Sequence, residues 1–195
     1  MSGRGAVFVD RDGVINELVT DPVSGRPESP LRPSDLTLVP GASAALGGLA
    51  SAGWPLVGVS NQPAAAKGVA SLQELKAVQA RVLELLAAEG VRFDAFKLCL
   101  HHPNGVVPDL TGECECRKPA PGMLLEAARE LGLDLTASWM VGDTDGDVAA
   151  GQAAGCRTVL IEYPGSAHKR DRVPHPDTIV RNLAAAVTVI LAGRE

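Results

Sequence analysis

The stretch Val7–Asn16, Val-Phe-Val-Asp-Arg-Asp-Gly-Val-Ile-Asn, narrows the possible folds more than any other part of the chain. A run of apolar, β-forming residues stops at two carboxylates one residue apart, Asp10 and Asp12, and a glycine follows that lets the chain turn sharply. That is a strand delivering two acids to one spot. At the carboxyl end of a buried parallel strand, where open α/β sheets put their ligands, such a pair binds a metal or divides nucleophile and acid/base roles. Taken alone, Asp-x-Asp-Gly also describes an Asx-rich turn with solvated acids.

Short β-rich runs alternate with helical stretches along the rest of the chain, the pattern of crossover units around a mainly parallel sheet. Strands are expected near Ala6–Asp10, Pro55–Ser60, Phe93–Leu98, Trp139–Gly142, Thr158–Glu162 and Thr178–Val180. Helices are expected over Ala42–Ala52, Leu72–Glu89, Gly122–Leu131, Asp145–Ala154 and Leu183–Leu191. The second of these is the clearest: Leu72, Leu75, Val78, Val82 and Leu85 mark one apolar face, and Ser71 with Glu74 forms a capping box. With 195 residues and 46% hydrophobic content the chain can bury one sizeable core, so residues 1–195 are expected to form a single α/β domain.

A formal charge of −5 offers no general attraction to nucleic acid or anionic membrane, so any bound phosphate must be held by a local site. No apolar run approaches a membrane span, and the N-terminus lacks the apolar stretch of a signal peptide. Four cysteines without an export signal argue for reduced thiols and a cytoplasmic location. A monomer is expected, although nothing in the residues forces it.

Two stretches resist assignment to strand or helix. Leu18–Ser34 carries several prolines and reads as an irregular excursion returning toward the strand ends. Cys99–Arg117 is a loop too long to be idle, and it holds most of the side chains able to bind a soft metal. Cys99, Cys114 and Cys116 with one of the adjacent His101 and His102 supply three thiolates and an imidazole, enough for a closed tetrahedral zinc site, with free buried thiols or a redox pair as the alternative. Cys156 is distant in sequence and reads as a small core residue.

Each later strand end also delivers polar residues. Ser60-Asn61-Gln62 brings a hydroxyl and two amides able to donate to phosphate oxygens, Arg117-Lys118 brings fixed cations, and Gly142-Asp143-Thr144-Asp145-Gly146-Asp147 brings a third acidic cluster. Any one of these could be a cap or a solvated turn, but four in order make coincidence a poor account. A phosphoryl group in transfer spreads charge over its oxygens, so an ammonium, a hydroxyl and a hard divalent cation are its appropriate surroundings.

These ordered motifs resemble the haloacid dehalogenase superfamily of phosphohydrolases over nearly the whole length of the chain. The resemblance implies a Rossmann-like fold, here with no separate cap domain. It implies that Asp10 attacks phosphorus, that Asp12 protonates the leaving oxygen and then activates water, and that Ser60 and Lys118 hold the phosphoryl group. Mg²⁺ would be held by Asp143, the Asp10 carboxylate and the Asp12 backbone carbonyl, with Asp147 in support. Asp12 is then expected to be protonated for the first step.

The cysteine loop, with Cys-Leu-His-His-Pro and Cys-Glu-Cys-Arg-Lys-Pro, looks like that of the capless histidinol-phosphate and D-glycero-D-manno-heptose bisphosphate phosphatases. This implies one zinc held by Cys99, His101, Cys114 and Cys116 in the loop 99–116, although one sequence leaves an exchange of His101 for His102 open. Within the group, the heptose 1,7-bisphosphate phosphatases resemble the chain best, through Asp-Arg-Asp-Gly-Val-Ile-Asn, Ser-Asn-Gln and Lys67-Gly68. The implied reaction is removal of the C7 phosphate, with Asn61, Gln62, Lys67 and Arg117 contacting substrate. The chain departs from that pattern with Pro63-Ala-Ala-Ala-Lys67, where Lys67 replaces the bidentate fork of an arginine. Histidinol phosphate is the alternative substrate, favoured if Glu17, Asp21 or Glu28 faces the entrance. A nucleic-acid-end phosphatase is disfavoured by the acidic charge, and a non-catalytic zinc-stabilised binding module by the intact acids. His168 and His175, in the loop Tyr163–Pro176 with Lys169, Arg170 and Arg172, either line the site entrance or are solvated loop residues, and the second reading is favoured.

Overall fold

The computed structural model describes residues 3–22, 24–171 and 173–193. In chain order its elements are β1 (Val7–Val9), β2 (Val19–Thr20), β3 (Pro27–Glu28), α1 (Ala42–Ser51), β4 (Leu56–Asn61), α2 (Leu72–Ala88) and β5 (Ala95–Cys99). Then come α3 (Gly122–Leu131), β6 (Trp139–Gly142), α4 (Asp145–Ala154), β7 (Arg157–Ile161), β8 (Thr178–Val180) and α5 (Leu183–Ala192). The six expected strands form one sheet in the order β5-β4-β1-β6-β7-β8, with every pairing parallel. Strand β1 lies at the centre, with β4 on one side and β6 on the other. The chain winds away from β1 in both directions, so its carboxyl end is the topological switch point where such sheets open a ligand crevice.

Both faces of the sheet are covered, as a parallel sheet requires. Val7 and Val9 point into one core layer with Leu46 and Leu49 of α1, Val78, Val82 and Leu86 of α2, and Leu183, Ala186 and Ile190 of α5. Ala6 and Phe8, displaced by one residue and so facing the other way, pack with Met123, Leu124 and Ala127 of α3 and Ala150 of α4. A fully buried leucine such as Leu46 or Leu49 contributes about 2 kcal/mol through the apolar surface it removes from water. Trp54 and Trp139 lie in the first layer and Cys156 in the second, all as packing residues.

Helix α2 begins as its capping box requires, with the Glu74 amide donating to Ser71 Oγ and the Ser71 amide donating to Glu74 Oε2. Its buried face differs from expectation, running through Leu75, Val78, Gln79, Val82 and Leu86 while Leu72 stays 42% exposed. Leu72 occupies the first turn, where the helix has not yet come down onto the sheet. Strand β5 also starts later than expected, because the Asp94 carboxylate is used to accept the Leu56 amide at the head of β4.

Two excursions stand at the carboxyl ends of the strands. The first is a small hairpin within 18–34, in which Val19 pairs with Glu28 and Thr20 with Pro27; Val23, in the same stretch, lies outside the described residues. The second follows Cys99 and contains a single 3-10 turn, Pro108–Leu110. Among the described residues no helix is long and apolar enough to cross a membrane.

Candidate active site

Parallel register brings the strand ends level, and the acidic motifs meet there. Asp10 follows β1 directly and its amide donates to Val141 O, which sets it beside Asp143 at the end of β6. Gly13, at φ 83°, makes the turn that lets the chain pass Asp143; a Cβ at Gly13 would stand 2.2 Å from Asp143 Oδ2. Gly142 is required in the same way, since a Cβ there would meet Asp147 at 2.2 Å. One oxygen each of Asp10, Asp143 and Asp147 lies within 4.8 Å of the other two, all in buried positions.

Lys118 supplies the answering charge. Its Nζ is 2.8 Å from Asp10 Oδ1, 2.5 Å from Asp147 Oδ1 and 2.8 Å from Val59 O, so each of its three hydrogens has an acceptor. Burial works to lower the pKa of the ammonium, but the charges of Asp10 and Asp147 outweigh it and push it up. Asp147 is fully engaged: its other oxygen accepts from the Thr144 amide and hydroxyl, capping α4. Asp143 Oδ1 is buried with no hydrogen-bond partner among the described residues. Burial, then the charges of Asp10 and Asp147, raise the Asp143 carboxyl well above its usual range, and burial against the pull of Lys118 lifts Asp10 to about 6. Crowded carboxylates with an orphaned buried oxygen and hard oxygen donors are the chemistry that fits a Mg²⁺ ion.

Asp12 departs from the sequence expectation. Burial works to raise its pKa, yet Arg11, Asn16, Gln62 and Ser29 together lower it, which favours the ionised form rather than the protonated one. Its Oδ1 accepts from Asn16 Nδ2 at 2.9 Å and Arg11 Nη2 at 3.2 Å, and its Oδ2 from Gln62 Nε2 at 2.5 Å and Ser29 Oγ at 3.0 Å. Arg11 is only 1% exposed and reaches α2 through Gln79 Oε1. Sequence reasoning assigned nothing to Arg11, Asn16 or Ser29. Arg11 and Asn16 are marked only by lying inside or beside Asp-Arg-Asp-Gly, and Ser29 only by lying in the proline-rich stretch 18–34.

Ser60 lies at the end of β4 and lines the same cavity as Asp10, Asp12, Lys118 and Asp143, a space of about 330 Å³. Asn61 and Gln62 were expected to donate to substrate, and their amides are used otherwise. Asn61 Nδ2 donates to Lys118 O at 2.9 Å and its Oδ1 accepts the Lys118 amide at 3.1 Å, a clamp that fixes the lysine backbone. Gln62 donates both amide hydrogens, to Asp12 and Ser60, and does not line the cavity. Lys67 and Arg117 do line it, as do Leu18, Glu28 and Ser29 of the hairpin and Thr144 and Gly146 of the β6–α4 turn. Lys169, expected to be solvated, is part of the same wall, and Arg170 is bonded through Nη1 to Asp143 O at 3.0 Å. Arg172 lies outside the described residues. Glu17 accepts a hydrogen bond from the Tyr163 hydroxyl and Asp21 accepts the Ser24 amide, so of the three acids considered for the entrance only Glu28 lines the cavity.

The cysteine loop converges on a second centre. Cys116 Sγ is 3.0 Å from Cys99 Sγ and 3.4 Å from both Cys114 Sγ and His101 Nδ1. Bond lengths of about 2.3 Å to sulfur and 2.0 Å to nitrogen give tetrahedral edges of about 3.5–3.8 Å, so these four donors fit one zinc ion after modest adjustments. His101 supplies the nitrogen; His102 Nδ1 instead accepts the Asn104 amide at 3.1 Å. All four cysteines are free thiols, so no disulfide competes. Burial and the neighbouring thiols push the Cys116 thiol up, while at Cys114 hydrogen-bond donors overcome burial and pull it down. The loop reaches the first centre through Arg117, whose Nη1 donates to His101 O at 3.2 Å.

A parallel doubly wound sheet with these acids and this lysine at its switch point is the framework of a HAD-type hydrolase, and a HAD-hydrolase-like family model matches residues 115–186. D-glycero-beta-D-manno-heptose-1,7-bisphosphate 7-phosphatase of Pseudomonas aeruginosa is 32% identical over 96% of this chain and 98% of its own length. The D-glycero-D-manno-heptose-1,7-bisphosphate 7-phosphatase of Thermosynechococcus vestitus is 40% identical over 94% of each. Among solved structures, D,D-heptose 1,7-bisphosphate phosphatase from B. bronchiseptica, complexed with magnesium and phosphate, superposes with a TM-score of 0.80 at 29% identity, covering 97% of this chain and 99% of that one. The chain belongs to the heptose-1,7-bisphosphate 7-phosphatase family of HAD-type phosphatases.

Proposed function

We propose that this chain is a Mg²⁺-dependent phosphatase that removes the C7 phosphate of D-glycero-D-manno-heptose 1,7-bisphosphate, acting as one catalytic domain in the cytoplasm. The observation that carries the substrate reading is a single cavity holding the Asp10–Lys118 centre together with a separate pair of outer cations, Lys67 and Arg117. One phosphate meets the centre and the second meets the pair.

In this reading Asp10 attacks phosphorus and the sugar oxygen leaves, giving an aspartyl-phosphate that water then hydrolyses. Asp10, Asp143 and the Asp12 carbonyl would hold Mg²⁺, which would supply positive charge to the phosphoryl oxygens. Lys118 holds the phosphoryl group with Ser60, and Asn61 keeps Lys118 aimed. Asp12, ionised in its present surroundings, suits the second step, in which it takes a proton from water. For the first step the arriving phosphate dianion raises its pKa, so that it carries a proton to the leaving oxygen. Cys99, His101, Cys114 and Cys116 would hold a structural zinc ion, and the His101 carbonyl beside them accepts from Arg117 Nη1, so the same loop that would carry the ion positions Arg117.

Histidinol phosphate is the competing substrate. Glu28 is an acid that could receive its amine, but three outer cations, Lys67, Arg117 and Lys169, line the cavity against that single carboxylate outside the centre. Phosphate release with Mg²⁺ from the heptose bisphosphate, histidinol phosphate and a 3′-phosphorylated oligonucleotide tests the reading. Strong preference for the bisphosphate is expected. Preference for either other substrate keeps the chemistry and overturns the specificity.

A further inference from the structure

We propose that Lys169 is a specificity-determining residue of this cavity, a cation that recognises the second phosphate of a sugar bisphosphate from across the pocket; the inference rests on the bisphosphate reading above. Lys67 follows β4 and Arg117 follows β5, so both reach the cavity from one side of the central strand β1. Lys169 follows β7 and reaches it from the other side.

The segment carrying Lys169 is built onto the acidic centre. It is a 3-10 turn, Pro164–Lys169, and Ser166 inside it is 1% exposed with Oγ 3.1 Å from Asp143 O. Arg170, the next residue after Lys169, donates through Nη1 to Asp143 O at 3.0 Å and to Ser166 Oγ at 2.8 Å. The Asp171 amide donates to Asp145 Oδ2 at 2.5 Å. On its other flank the turn meets the hairpin: a Cβ at Gly165 would lie 2.6 Å from the Tyr163 ring and 3.3 Å from Leu18, itself a cavity residue. Lys169 is thus held at the rim by its neighbours on both sides, while its own side chain stays exposed.

The charges explain why a cation there has work left to do. Lys118, paired with Asp10 and Asp147, belongs to the centre that takes the reacting phosphate. Among the described residues no carboxylate forms an ion pair with Lys169. A flexible, solvated ammonium cannot grip a phosphate as an arginine fork does, but it draws in a multiply charged ligand and closes on it as a point charge. Its contribution therefore falls in substrate capture and is screened by salt.

The test compares steady-state kinetics of wild type, Lys169→Ala and Lys169→Arg on heptose 1,7-bisphosphate and on p-nitrophenyl phosphate, at low and raised ionic strength. Lys169→Ala is expected to lower the ratio of kcat/KM for bisphosphate over monoester by about tenfold, with the loss in KM and diminishing in salt. Lys169→Arg restores the ratio, and His168→Ala, an exposed neighbour outside the cavity lining, leaves it where it was. An unchanged ratio in Lys169→Ala, or a loss in kcat shared equally by both substrates, overturns the inference while wild-type preference for the bisphosphate persists. A wild type with no such preference breaks the bisphosphate reading and this inference with it.

Discussion

The carboxylate centre and the cysteine loop lie a few residues apart in sequence, at Lys118 and Cys116, yet they are held in opposite ways. Asp10, Ser60 and Asp143 are carried by strand ends, and Lys118 is tied to Val59, Asn61, Asp10 and Asp147. The sheet supplies that geometry before any ion arrives. The loop from 100 to 117 has only a 3-10 turn and one isolated bridge of regular structure among the described residues, and it folds back to bring His101, Cys114 and Cys116 to Cys99 at the end of β5. Acids carried on the sheet are thus paired with a cation, Arg117, carried on a loop whose Cys/His cluster could bind zinc.

The largest effect is expected at the centre. Asp10→Asn should reduce phosphate release by at least about 10⁴-fold while circular dichroism and the melting temperature show an intact fold, since the sheet does not depend on that charge. Steady phosphate release by this variant would sink a covalent route through Asp10. The loop gives a smaller and different response. Zinc removal with Mg²⁺ kept in excess should raise KM for the bisphosphate about tenfold, more than it lowers kcat, because Arg117 is anchored on the loop and Lys118 on the sheet. Limited proteolysis should then cut between residues 100 and 117; unchanged kinetics after verified zinc loss would refute this role for the loop.

Asn61→Ala probes the joint between the two regions. It removes two hydrogen bonds to the Lys118 backbone, and a fall in kcat of about tenfold is expected, with little change in KM. The mildest test is by pH. Burial lifts Asp10 to about 6, so the carboxyl must lose a proton to accept a cation, and protons compete as pH falls through that value. Calorimetric Mg²⁺ affinity should therefore weaken as pH falls through about 6, by up to about tenfold per pH unit for each carboxyl that must give up a proton, Asp143 adding to Asp10 because its carboxyl is raised as well. A pH-independent affinity between 5 and 7 would mean that another set of atoms holds the ion.

Much of this was legible in the chain. Six strands and five helices follow from local alternation and capping, because each element advertises its own period and its own stop signals. The acids at the strand ends and the Cys/His set were visible for a related reason: metal chemistry demands particular residue types, and those types are rare in apolar runs. The partners of those groups were not visible. Asn61 and Gln62 look like phosphate donors in sequence, and only the packed strands show their amides turned onto Lys118 and Asp12. Ser29 and Lys169 sit in stretches with no periodicity, and they reach the cavity only because a hairpin and a 3-10 turn fold back over the sheet.

The sequence by itself determined the sheet, the order of the motifs and the kinds of atoms at the two centres, since these depend on near neighbours along the chain. Tertiary structure decided which donors each acid meets, and hence that Asp12 is held ionised, that Asp143 keeps a free buried oxygen and that Arg117 hangs from the His101 carbonyl. Those outcomes are set by burial and by distances of about 3 Å between residues far apart in the chain, where the cost of an unpaired polar atom is felt only once water has been excluded.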